Sequence, residues 1–340
     1  MNPIQTETTM PKLSVLVPVY GVEKYIERCA RSLFEQTLDD IEYIFVDDCT
    51  PDRSIEILSE IIEEYRPRFE REGNTCRILR MPENGGLAAV RRYGIQFCTG
   101  EYVIHCDSDD WVETDMYELM YREAKRIDAD MVICGFRMTD GENVLREDLP
   151  VFTDKDALIR SMLTAADSWV LWTRLCKRTL YANGIIYPQY SMGEDMVLTT
   201  QLVLRAERFG IVPKPLYNYR FNTESISNTT DPDKRFRRRL DAVRNVADVL
   251  AAFDSYGLSD KYSRELLTLK YRQKGRVVLL AIRKKYSAAW LEIFPEVDSK
   301  VWRLPGISLK DRLKFYFALC VARSNTIFCR LARKWAILNR

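Results

Sequence analysis

The sequence has one histidine, His105, in 340 residues, and its nine cysteines stand apart with no Cys-x-x-Cys pair. A histidine-rich metal centre is excluded, and so are a cysteine zinc site and a disulfide framework as organising principles. Glycine (14) and proline (13) are sparse, and neither a repeat nor a low-complexity segment occurs. No apolar run approaches eighteen residues, so no bilayer-spanning helix is expected. The opening MNPIQTETTMPK has neither the basic cluster nor the apolar core of a secretory signal. With free cysteines, these absences point to the cytoplasm. Without a nucleic-acid-binding motif, nucleic acid is not an expected partner.

What is present suits a globular protein: 46% hydrophobic and 29% charged residues. A net charge of +2 hides an asymmetry. Residues 271–340 carry 16 Lys+Arg against 4 Asp+Glu, and residues 1–270 carry 35 against 45. The acidic part alternates short apolar runs with helix-period segments. Strands are expected at 13–19, 41–46, 76–81, 101–106 and 130–136. Helices are expected near 23–36, 54–65 with Ser54 as N-cap, 87–98 and 114–128. The order predicts a mostly parallel sheet flanked by helices, with ligands at the carboxyl ends of its strands.

Two acidic loops sit at that edge. Asp107-Ser108-Asp109-Asp110 follows an apolar strand directly, and carboxylates so placed can converge on one hard cation, Mn²⁺ or Mg²⁺. The plainer reading is a solvated turn before the next helix. Asp47-Asp48 follows IEYIFV and can accept from a base or ribose, or close an Asx-turn of its own. Farther on, Glu194-Asp195 opens a helix, where acids complement the dipole and one can serve as a general base. His105, inside its strand, reads as a hydrogen-bonded core residue. Cys49 and Cys106 flank the acidic loops and would make the site sensitive to thiol reagents.

Taken in order, SVLVPVY (14–20), VDDCTPD (46–52), Asn84-Gly85-Gly86-Leu87 with Arg91 and Gly94, Gly100-Glu101-Tyr102, Asp107-Ser108-Asp109-Asp110-Trp111 and Gly193-Glu194-Asp195 resemble the family 2 inverting glycosyltransferases. The resemblance implies an α/β, GT-A nucleotide-sugar-binding fold over 12–230, after a tail at 1–11. The nucleotide half would be 12–112 and the acceptor half 113–230, with an all-helical, basic region at 231–340. It places Pro18 and Tyr20 under the nucleotide base, Asp48 on the uracil with Asp47 beside it, and Arg91 near the pyrophosphate. Asp107 is matched to the ribose and metal side, Asp109 to the metal, and Asp195 to the catalytic base. Asp110, Trp172, Lys177, Glu194 and Arg220 are matched to the acceptor side.

The implied reaction moves a sugar from a UDP-sugar to a hydroxyl of a glycan or polyprenyl-diphosphate-linked acceptor, with inversion. Enzymes of lipopolysaccharide, capsule and other bacterial surface glycans are the nearest likeness. An inactive nucleotide-sugar-binding subunit of a synthase complex is the alternative. The segment Tyr217-Asn218-Tyr219-Arg220 with Ser225-Ile226 either closes over the donor or forms a polar loop with a core tyrosine. Residues 311–338 read as an amphipathic basic helix. Leu313, Phe317, Cys320, Ile327, Phe328, Leu331, Trp335 and Leu338 share one face, which docks on an anionic inner leaflet or packs on its own protein.

Overall fold

The computed structural model describes residues 10–164, 169–221, 231–304 and 306–338, with side chains through 327. Ser225 and Ile226, and the basic-helix positions from Phe328 onward, lie outside the described side chains. The chain runs β1 (Leu13–Val19), α1 (Ile26–Phe34), β2 (Ile41–Asp47), α2 (Ser54–Glu72), β3 (Thr75–Arg80), α3 (Gly86–Gly94), β4 (Tyr102–His105), β5 (Trp111–Val112), α4 (Met116–Ile127), β6 (Met131–Thr139) and β7 (Val144–Asp148). Then come α5 (Lys155–Thr164), β8 (Arg174–Lys177), α6 (Glu194–Arg205) and β9 (Phe209–Arg220). Helices follow: α7 (Pro232–Ser255), α8 (Ser263–Gly275), α9 (Val278–Ala281), α10 (Lys284–Glu292) and α11 (Leu309–Leu338).

These elements fall into two compact units. One holds residues 1–155, 170–191 and 198–222, and the other 156–169, 192–197 and 223–340. The division therefore departs from a single cut at 230. Segments from the middle of the chain, Asp195 among them, belong with the C-terminal helices.

The first unit is built on one sheet, ordered β3-β2-β1-β4-β8-β6-β9-β5, with β7 paired to β6. β1, β2, β3 and β4 are mutually parallel. Their apolar runs are buried along β1, β2 and β4, as a sheet covered on both faces requires. Ile26, Cys29, Ala30 and Leu33 of α1 cover one face, the spacing that predicted the helix. Because β1 lies between β2 and β4, the order in which the chain adds parallel strands reverses there. A crevice opens at such a switch point, beyond the strands' carboxyl ends.

Two local departures have physical causes. α2 continues seven residues past Tyr65, through Pro67. The continuation puts the Phe69 ring 4.9 Å from Phe34, buried in the core, and Gly73 at φ +70° ends the helix. Between Trp172 and Lys177, residues Arg174–Lys177 form an antiparallel strand, β8, inserted between β4 and β6.

The second unit is helical. Its core gathers Phe236, Tyr271, Trp290, Val301, Phe315 and Leu319. Lys274, fully buried, pairs with Asp298 at 2.6 Å.

Candidate active site

The loops after β1, β2 and β4 meet at the switch point. Gly21, at φ +69°, turns the chain out of β1. The N–H groups of Gly21, Val22 and Glu23 donate to Thr50 Oγ1 (2.8 Å), Ser54 Oγ (3.1 Å) and Asp52 Oδ2 (2.9 Å). Asp52 therefore sews two loops together and also accepts from the Ser54 N–H and hydroxyl. The helix start expected of Ser54 is made by this aspartate instead. Burial pushes the Asp52 acid up, but the hydrogen bonds from Ser54, Thr50 and Glu23 outweigh it and hold it at about 2. Tyr20 stands half exposed at the tip, an open face for a base, beside partly buried Pro18.

Asp47 accepts the N–H of Thr50, three residues on, at 2.7 Å, so it closes its own loop, though not as an Asx-turn. Asp48 is buried, and its two oxygens accept the N–H groups of Gly85 (2.7 Å) and Gly86 (2.9 Å). This explains the glycine pair. A Cβ on Gly85 would fall 2.8 Å from that of Ala89, and Gly86 sits at φ +74°. Cys49 adopts φ +57°, a left-handed backbone that favours glycine, with its thiol 3.2 Å from the Met81 carbonyl oxygen.

From α3, Arg91 reaches Asp107. Its side chain is 2% exposed, and one terminal nitrogen lies 2.8 Å from Asp107 Oδ1. The residue expected at the pyrophosphate is thus buried and orients an aspartate. Asp109 is pushed up to about 6 by burial and by the neighbouring Asp107 charge, with Arg220 pulling weakly the other way. Asp110 differs from both. It is 1% exposed, its Oδ2 accepts the Tyr217 hydroxyl (2.7 Å) and its Oδ1 the Arg220 N–H (2.7 Å). The acid expected to meet an acceptor instead anchors β9. Tyr217 in turn accepts the Asp107 N–H at 3.1 Å. The core-tyrosine reading of this segment describes Tyr217. We expect Tyr217→Phe to cost about 1–3 kcal/mol of stability, because it strands a buried acceptor and a buried N–H. Thermal unfolding checks this, and an unchanged midpoint would remove the clamp.

Arg220 carries its guanidinium 4.5 Å over the Tyr25 ring. Beside it, Arg28 lies 3.3 Å over Trp111, and its pKa is lowered by burial and then by Arg220. Sequence reasoning did not single out Arg28. Arg28 lies on the exposed face of α1, away from Ile26, Cys29, Ala30 and Leu33, so the local pattern held no signal that set it apart.

Other expected residues are placed elsewhere. Trp172 is a core residue, stacked on Tyr217 at 4.1 Å and edge-on to Phe136. Lys177 pairs in register with Tyr102, at the end of β4 opposite Asp107, and binds Asp128 at 2.7 Å. Neither is at the donor loops. His105 is buried and bonded to the Tyr181 hydroxyl at 3.2 Å, as a core histidine. The Cys106 thiol is fully buried and pushed far up, first by Cys29 and then by burial, so of the two flanking thiols only Cys49 is accessible.

Within the second unit, Gly193 at φ +77° leads into α6, and a Cβ there would meet Ala242 at 3.3 Å. Of the two acids that follow, Glu194 is buried at 3% exposure while Asp195 is partly exposed. Asp195 Oδ1 accepts the Met196 N–H at 2.8 Å. It is the acid of the pair that a solute can reach.

Among the described residues, no three His, Cys, Asp or Glu side chains form a metal-holding group. The Asp107–Asp109 pair nevertheless suits a hard divalent cation completed by diphosphate oxygens and water. Its oxygens match such an ion, and its mutual repulsion is what an ion would relieve.

Comparison with known proteins agrees with this geometry. The glycosyl transferase family 2 model matches residues 14–187. Glycosyltransferase EpsJ of Bacillus subtilis is 31% identical over 269 residues, covering 76% of this chain and 74% of its own. The cholesterol galactosyltransferase of Borreliella burgdorferi is 30% identical, covering 89% and 83%. Staphylococcus aureus TarS in complex with UDP-GlcNAc superposes with a TM-score of 0.57 at 19% identity, over 92% of each chain, a likeness of fold. A parallel sheet with acids at its switch point and agreement over most of the chain lead to one assignment: this chain is a glycosyltransferase of family 2.

Proposed function

We propose that the chain transfers a hexosyl or N-acetylhexosaminyl unit from a UDP-sugar to a hydroxyl, with inversion at the anomeric carbon. The observation that carries this reading is the Asp107–Asp109 pair at the end of β4, one acid held by Arg91 and the other raised toward neutrality. The UDP-GlcNAc bound to TarS supports the choice of nucleotide.

Tyr20 offers its ring to the base, and Asp48 keeps lone pairs for the uracil N–H beyond those given to Gly85 and Gly86. Asp109, with Asp107, would hold Mn²⁺ or Mg²⁺. When bound, such an ion supplies Lewis-acid neutralisation of the charge growing on the leaving diphosphate. Asp195 accepts the acceptor hydroxyl's proton as that oxygen attacks the face opposite the nucleotide. The C1–O bond to UDP breaks as the new bond forms, so an α-linked donor gives a β-linked product. Glu194, in the first turn of α6, is buried and closed to an incoming hydroxyl.

The acceptor is a glycan or lipid-linked hydroxyl of bacterial surface polysaccharide synthesis. The surface-polymer and lipid acceptors named for relatives support it, poly(ribitol-phosphate) and cholesterol among them. A panel of nucleotide sugars, followed by UDP release and by the anomeric proton coupling of the product, tests the reading. Release of UDP with a β-coupled product is expected. Retention of configuration, or turnover with GDP-sugars alone, would overturn it.

A further inference from the structure

The second unit contains a cavity of about 260 Å³ between α8 and the start of α11. Pockets for drug-sized ligands span about 300–1,000 Å³, so this one, just below that range, has ample room for a headgroup phosphate. Its rim carries Arg272, Arg276 and Lys314 against a single acid, Asp311, over a floor that includes Tyr271 and Phe315. The Nε of Arg272 is buried and has no hydrogen-bond partner among the described residues. The cation excess extends to α7. Arg239 is lowered to about 10, chiefly by burial and then by the like charges of Arg276 and Arg235. Like charges gathered in one place are stable when an anion joins them.

The same helix presents an apolar stripe to solvent. Phe315, Ala318, Leu319 and Ala322 pack into the core. On the opposite side, Leu309 (65% exposed), Leu313 (53%), Tyr316 (50%), Phe317 (63%) and Ile327 (59%) line up at helical spacing. That stripe is about 27 Å long at 1.5 Å per residue. Trp302, 47% exposed, lies beside it with its ring 6.4 Å from Tyr316. Exposed Lys310 and Lys314 flank one side and Arg323 the other. The nearby Arg312 is not part of this edge, because its guanidinium donates to the carbonyls of Val301, Leu304 and Ile307. No helix among the described residues is long and apolar enough to cross a bilayer.

From these features we infer that the second unit docks on an anionic bilayer surface, with the apolar stripe of α11 entering the interface and a lipid phosphate seated among Arg272, Arg276 and Lys314. Charge selects this occupant. An apolar stripe edged by cations and opening beside a cationic cavity complements a layer of acyl chains topped by phosphates. The orientation follows, with the α11 axis parallel to the membrane plane and the Phe315 face turned toward the protein.

Sedimentation of the full chain with phosphatidylglycerol and with phosphatidylcholine vesicles, at rising sodium chloride, tests this. Binding to phosphatidylglycerol that weakens with salt, and much weaker binding to phosphatidylcholine, is expected. Each cation lost should lower partition about fivefold, so Arg272→Gln with Lys314→Gln lowers it about 25-fold. Leu313→Ser with Phe317→Ser, both at exposed positions, lowers it at least about tenfold. Thermal melts confirm that each variant remains folded, and Lys310→Gln with Lys314→Gln replaces the first pair should Arg272→Gln unfold. Equal binding to both vesicle types, or to neither, overturns the inference. So does saturation by soluble glycerol phosphate when vesicles are ignored, and so does a dimer that the Leu313/Phe317 pair abolishes while vesicle binding is unchanged.

Discussion

Asp195→Asn is expected to slow sugar transfer about 10³-fold, inside the 10²–10⁴ range for loss of a general base. That corresponds to about 4 kcal/mol in the barrier. The expectation rests on chemistry and on local geometry. An amide cannot take the acceptor proton. Its carbonyl oxygen can still accept the Met196 N–H that Asp195 Oδ1 accepts now, so the start of α6 is preserved. The affinity for UDP should therefore stay within about twofold. Titration calorimetry with UDP and single-turnover kinetics separate the two quantities. A parallel loss of UDP affinity would make Asp195 a binding or folding residue, and unchanged turnover would move the base elsewhere. Glu194 is a poor substitute, since only 3% of it is exposed.

Asp109→Asn should have effects of opposite sign on function and stability. The Asp109 acid sits near 6 because burial and the Asp107 charge both disfavour its ionised form. Its folded value lies above its unfolded value, so between about pH 4 and 6 the folded state holds a proton that the unfolded chain has released. Above that window the metal-free protein carries the full cost of the charge. Asparagine removes it, and the metal-free variant should melt higher at pH 8, by an equivalent of about 1–3 kcal/mol. Its Mn²⁺-dependent gain in UDP affinity should fall at least about 100-fold, as one of two carboxylates toward the ion is gone. Calorimetry with and without Mn²⁺, beside thermal melts in chelator, reads both. A variant that melts lower while binding UDP as before would assign Asp109 to the fold alone.

Much of the acidic edge of the sheet was legible because local pattern carries it. β4 is buried throughout and passes within two residues into carboxylates, so strand direction and chemistry can be read together. The same holds for IEYIFV and Asp48. What pattern cannot supply is the partner of a buried charge. Arg91 precedes Asp107 by 16 residues, and only the packing of α3 on the sheet brings them to 2.8 Å. Asp110 has the same side chain as Asp109 and the opposite fate, decided by the distant Tyr217 and Arg220.

Lys177 was misplaced for a related reason. The direction of β8 depends on which strand it pairs with, and antiparallel pairing to β4 sends Lys177 to the far end. The helix expected over 54–65 runs on through Pro67, and the burial of Phe69 against Phe34 accounts for the extension. Arg28 escaped notice because one arginine on an amphipathic helix resembles any solvated residue until Trp111 is seen against it.

The interleaving of the two units bears on how the protein is made. Met192 and Met196, on either side of Asp195, are bonded to Asn245 and Gln273, and Asp156 to Tyr262. A ribosome adding about 5–20 residues per second needs roughly 4–15 s after Met196 emerges to deliver Gln273. During that interval the segment bearing Asp195 lacks its neighbours. The nascent chain can close its parallel sheet while the helix start at Asp195 is still unfinished, so premature termination near residue 230 should release a chain whose sheet is formed and whose α6 start is not packed.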